Sequence, residues 1–207
     1  MKVMTKLAFA GLAVVVFTGC GSDDDDPVAT TSVFGKAYTV ISGSPTVEGN
    51  SVSGTGTLNF GDTLVQERAE ETNFLLTIDL SAADDSSVAL HSFSESDLTG
   101  GQIVTLGKND GNLAMNYTTG SGTEDTVTTF NSTADTSTSF TISVEVHNGE
   151  DNGSHVIAWI GDDFPESAEP AEKTDGIYGA GKFVGLNLNN ATVTAFTVGA
   201  AEAEDEE

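Results

Sequence analysis

Clustered oxygen donors, two nearby imidazoles and a few scattered aromatic rings are the groups in this 207-residue chain that can do chemistry. His147 and His155 bracket "NGEDNGS", with Glu150 and Asp151 between them. Two imidazoles and a carboxylate can hold zinc. Calcium suits the acids better, because it takes six to eight oxygens from flexible loops. "GEDNG" offers Glu150, Asp151 and Asn152, and "GDDF" offers Asp162 and Asp163. No "DxDxDG" spacing orders them, and carboxylates in turns are ordinarily solvated. A saccharide site needs rings to stack on and amides to hydrogen-bond. Trp159 and Tyr117 supply rings, and Asn116, Asn187 and Asn189 supply amides.

Catalytic constellations are missing from the pattern. Glycosidic hydrolysis requires two carboxylates flanking one bond. Asp79 stands alone in "LTIDLS" and Glu145 alone in "SVEVHN". The chain has no "GxSxG" elbow, and "GTGTLNFG" precedes no helix that would make it a phosphate loop. His91, alone in "VALHSF", reads as an ordinary sheet residue. Binding, not catalysis, is the expectation.

The elements that must position these groups are strands. "NFLLTIDLS" puts Phe74, Leu76, Ile78 and Leu80 on one face, the period-two signature of a half-buried strand. "FTISVEVHN" alternates most clearly, with Phe140, Ile142, Val144 and Val146 inward and Thr141, Ser143, Glu145 and His147 outward. Asn187 and Asn189 alternate with Leu186 and Leu188 and so face away from the apolar set. "NDG" at 109–111 suits a tight hairpin. "GKFVGLNLNN" and "ATVTAFTVG" read as two closing strands, and a helical turn is possible at 63–71. About eight to eleven such strands describe an all-β antiparallel sandwich. Short strands and scattered aromatics do not supply the apolar band and girdles of a membrane barrel.

The order of these segments resembles the concanavalin A-like (laminin G-like) jelly rolls, including sugar-processing relatives of 3-keto-disaccharide hydrolase type. The likeness runs from about Phe34 to Gly199, through "NFLLTIDLS", "FTISVEVHNGEDNGSHVIAWIG" and "GKFVGLNLNNATVTAFTVG". It implies an antiparallel β-sandwich that often carries calcium on a loop or edge. That fold hosts lectins, glycanases, lyases and spacers, so the site and not the fold must argue function.

The first segment concerns address. "MKVMTKLAFAGLAVVVFTGC" has a basic start, an apolar run and a small-residue exit, the pattern of a secretory signal. "FTGC" resembles the lipobox of bacterial lipoproteins, which implies that Cys20, the single cysteine, carries acyl chains. A multiply acylated cysteine anchors stably without a transmembrane helix. The four aspartates that follow belong to a solvated, self-repelling tether. The expected organisation is a signal peptide at 1–19, anchor and tether at 20–32, a sandwich domain at 33–199 and an acidic tail at 200–207. By resemblance the anchor lies in an outer membrane, on either its periplasmic or its surface-facing side.

Charge narrows the partners. The chain carries 32 acids against seven Lys plus Arg, a formal charge of −25. Removing residues 1–19 takes two lysines and no acid, giving −27. Nucleic acid, bound through Lys and Arg, is excluded. The expectation is a lipid-anchored envelope protein that binds polysaccharide or a surface partner. The alternatives are a structural or adhesive matrix component and a sugar-processing hydrolase.

Overall fold

A computed structural model describes residues 31–61, 71–81, 85–109, 112–119, 124–129, 137–148, 154–163, 171–176 and 181–200. Its strands are β1 (Ser32–Val33), β2 (Lys36–Ala37), β3 (Thr39–Gly43), β4 (Thr46–Glu48), β5 (Ser51–Asn59), β6 (Glu71–Leu80) and β7 (Ser87–Ser94). They continue with β8 (Gln102–Asn109), β9 (Asn112–Thr119), β10 (Glu124–Thr129), β11 (Phe140–Asn148), β12 (Ser154–Ile160), β13 (Ala171–Gly176) and β14 (Phe183–Ala200). Neighbouring strands pair antiparallel, and the described residues contain no helix.

Hydrogen bonding runs from β10 through β9, β8, β7, β14, β6, β11 and β12 to β13, with β5 beside β14 and both β3 and β4 beside β5. The path folds over into two layers because β5 and β14 each pass from one layer to the other. Sheet 1 is β3, the second half of β5, the first half of β14, then β7, β8, β9 and β10. Sheet 2 is β4, the first half of β5, the second half of β14, then β6, β11, β12 and β13. β10 and β13 meet on the far side.

Asn190 makes the corner in β14. Its backbone is left-handed (φ 47°), a conformation that asparagine tolerates better than most side chains. Its N–H donates to Thr55 Oγ1 (3.2 Å), its Nδ2 to Asp85 Oδ2 (3.3 Å), and its carbonyl accepts from Ser86 Oγ (2.8 Å). Before the corner Val184, Leu186 and Leu188 face inward; after it Ala191, Val193 and Phe196 do. The two expected closing strands are therefore one strand, with a change of phase where it changes sheet.

Other expectations fall out simply. β8 and β9 pair Asn109 with Asn112, leaving two residues for the connection expected at "NDG". Glu71 opens β6, and the rest of the possible helical turn at 63–71 lies outside the described residues. The core between the layers includes Leu58, Leu90, Leu106, Met115 and Leu186 from sheet 1, and Phe74, Leu76, Ile142 and Phe196 from sheet 2. Burying one such side chain contributes about 1.5–3 kcal/mol.

Candidate functional site

Because the inward positions of sheet 1 are apolar, its outward positions decide what the surface can do. One row crosses six strands in register: Ser42, Thr57, Asn187, Ala89, Thr105 and Asn116. With strands about 4.8 Å apart, this row spans roughly 24 Å. Its side chains are hydroxyls, amides and one methyl. Ser42 Oγ donates to Thr57 Oγ1 at 2.9 Å. Asn116 Oδ1 is shielded from solvent with no hydrogen-bond partner among the described residues. The next row is Asn59, Gly185, His91, Ile103 and Thr118.

A strap covers one end of this second row. Residues 95–101 leave β7, fold back over the sheet and enter β8. Gly185 makes room for it: a Cβ there would lie 2.2 Å from Leu98 Cδ1. Leu98 is buried and left-handed (φ 64°), a costly backbone for a bulky residue that the surroundings must hold. Asn59 Nδ2 donates to Ser96 O (2.7 Å), and Asp97 Oδ1 accepts from Thr99 N–H (3.0 Å). Both Thr99 bonds to Asp97, through hydroxyl and backbone, hold that carboxyl below the usual range.

His91 stands where strap meets floor. Its Nδ1 lies 3.2 Å from Leu98 O. A carbonyl only accepts, so Nδ1 carries the hydrogen and Nε2 of the neutral ring holds a lone pair. Burial pulls the imidazole below its ordinary range, and the Leu98 carbonyl offsets part of that. The floor thus has hydroxyls and amides that donate and accept, beside one nitrogen that accepts.

The backbone has known counterparts. A carbohydrate-binding module, CBM66 from Bacillus subtilis, superposes with TM-score 0.53 at 11% identity, covering 80% of this chain and 96% of that one. A legume lectin-like domain from Entamoeba histolytica gives 0.54 at 11%, covering 80% and 90%. The VIP36 exoplasmic/lumenal domain, in its Ca2+/Man3GlcNAc-bound form, gives 0.50 at 11%, covering 82% and 85%. The chain shares with these domains the fold of an antiparallel β-sandwich. At these identities the likeness concerns fold alone. No protein-family model matches the sequence, nor does any curated protein.

The residues expected from sequence to bind saccharide are not brought together. Asn116 and Asn187 share the floor of sheet 1, two of its six positions. Asn189 belongs to the corner, where its Nδ2 donates to Asp85 O (2.5 Å). Tyr117 points inward with Leu113 and Met115 and is 1% exposed, so it offers no ring to solvent. Successive strand residues alternate faces, so Tyr117 and Asn116 cannot serve one surface. Trp159 sits on sheet 2, at an outward register position opposite Ser143, yet is 7% exposed.

The metal candidates divide similarly. Asp162 and Asp163 are exposed after β12, while Glu150, Asp151 and Asn152 lie outside the described residues. His147 and His155 do meet across β11 and β12, stacked with ring centroids 3.8 Å apart, and His147 Nε2 contacts Glu145 Oε1. Among the described residues no three His, Cys, Asp or Glu side chains gather as a metal set. Cys20 lies outside the described residues.

Sequence reasoning passed over His91, Thr57 and Thr105. The signal was present for His91. Val88 and Leu90 face inward in "SVALHSF", which puts Ala89 and His91 on the outer face.

Proposed function

We propose that this chain is a lipid-anchored glycan-binding protein of a bacterial outer membrane, holding extracellular polysaccharide on the outer face of sheet 1. The carrying observation is the uncharged row from Ser42 to Asn116, six strands wide and flanked by the His91 strap. The hydroxyls and amides of such a row can donate to and accept from the hydroxyls of an extended saccharide. Fold neighbours described as a carbohydrate-binding module, a legume lectin-like domain and a Man3GlcNAc-bound domain support the reading. On this reading the role of the face is retention of the saccharide. Cys20 is the proposed acylation site, and calcium on the acidic turns is a proposed accessory ion.

The test is a polysaccharide array probed with the protein, with and without calcium. Binding is expected, and Asn187→Ala should weaken it about five- to tenfold, the worth of one net hydrogen bond of about 1 kcal/mol. A blank array from protein with intact β-type circular dichroism overturns the proposal.

One observation favours a second reading, a structural surface component. Edge strand β3 exposes Val40 (44%) and Ile41 (43%), and among the described residues it pairs with β5 on one side and with no strand on the other. Such an edge can pair with another chain. Concentration-dependent oligomers in light scattering, lost in Val40→Lys, would support that reading.

A further inference from the structure

We infer that the saccharide held by sheet 1 is neutral, and that His91 Nε2 selects it by accepting a hydrogen bond from one of its hydroxyls. The inference rests on the glycan-binding reading and adds the chemical class and the selecting atom.

Neutrality follows from what the floor lacks. Ser42, Thr57, Asn187, Ala89, Thr105 and Asn116 carry no charge, nor do Asn59, Gly185, Ile103 and Thr118 in the next row. The whole chain holds seven Lys plus Arg against 32 acids. A uronate or sulfate ester would find no counter-charge there, and would enter a field of its own sign. A neutral sugar meets neither obstacle.

Selection follows from one tautomer. Asn and Thr side chains donate and accept, so they accommodate many hydroxyl orientations. His91 differs, because the Leu98 carbonyl fixes the hydrogen on Nδ1. Nε2 accepts from no described side chain or backbone group, and it is not among the polar atoms sealed from solvent without a partner. Water can satisfy that lone pair in the free protein, and a ligand that displaces the water must bring a donor of its own. A sugar hydroxyl is such a donor, whereas an O-methyl or deoxy analogue leaves the lone pair unsatisfied. The strap makes the requirement stringent: Leu98 on Gly185 and Ser96 on Asn59 hold the ring against the sheet.

The test uses the full chain and four probes: neutral β-glucan, neutral mannan, polyuronate and sulfated galactan oligomers. Affinity is read by calorimetry, and the His91 ring nitrogens by 15N-resolved NMR. A neutral oligomer should bind, the two acidic ones should not, and Nε2 should be unprotonated and shift on binding. His91→Phe should weaken binding tenfold or more, with His91→Gln, which keeps an acceptor, losing less. The Nε2 signal separates hydrogen bonding from support of the strap, because a purely structural ring would not respond. Neutral binding with an unmoved Nε2, or preferred binding of an acidic oligomer, overturns this inference and leaves the glycan reading standing. If no oligomer of either class binds, both fall.

Discussion

His91 also leaves a mark on stability. Its folded-state imidazole titrates below the ordinary value because burial disfavours the charged ring. Between that lowered value and about 6.5, the unfolded chain binds more protons than the folded one. Stability is thus lost as pH falls through 6.5 and levels off below the folded value. Thermal unfolding at pH 8, 6.5 and 5 should show wild type losing ground to His91→Phe as the solution is acidified. A constant difference between the two would mean the ring is not desolvated. Residue parity in "SVALHSF" was enough to put His91 outward, and parity alone separates Tyr117 from Asn116. What no local pattern shows is the Leu98 carbonyl, brought to His91 by a strap whose course depends on a glycine in β14, some 90 residues on by sequence.

At the scale of elements, glycine and asparagine mark where backbones must pass closely or turn. A methyl on Gly185 would lie 2.7 Å from Leu58 O as well as against Leu98. Leu98 can shift, but the Leu58 carbonyl is held in the sheet. Gly185→Ala should therefore cost about 1–3 kcal/mol in chemical denaturation, and should weaken glycan binding by displacing the strap. Asn190→Val places a β-branched side chain at φ 47° and removes the bond to Asp85. A loss of about 2 kcal/mol or more is expected, with Asn190→Gly much milder. The strands themselves were legible, because inward Phe74 to Leu80 and Phe140 to Val146 alternate without a break. The corner was half legible. A phase break between Leu188 and Ala191 is visible in sequence, but a turn and a bend produce the same break. Pairing with β5, which changes sheet at Gly54 and Thr55, decides between them.

For the whole molecule, charge and address dominate. A formal charge of −25 on 207 residues opposes compaction. Raising sodium chloride from about 10 mM to 500 mM, which shortens the screening length from about 30 Å to below 8 Å, should raise the melting temperature. An unchanged or lower value would show that repulsion among the acids does not limit the stability of the fold. Replacement of Cys20 with alanine should move the protein from the membrane fraction to the soluble one, and persistent membrane association would refute acylation at that residue. None of this is visible in the fold, because a β-sandwich carries no mark of cellular address.

The two strands shared by both sheets bear on the order of events in the cell. β14 is the last strand of the described domain, yet it lies between β5 and β7 in one layer and between β5 and β6 in the other. Until it emerges from the ribosome, neither layer can close, and β6 and β7 each lack a neighbour. A nascent chain of this topology can pair β7 to β10 and β11 to β13 as meanders, but the two layers are not joined until its final segment arrives. For a protein read as exported, that delay is useful: the sandwich stays unclosed for as long as the polypeptide is being made, and closes on the side where it is needed.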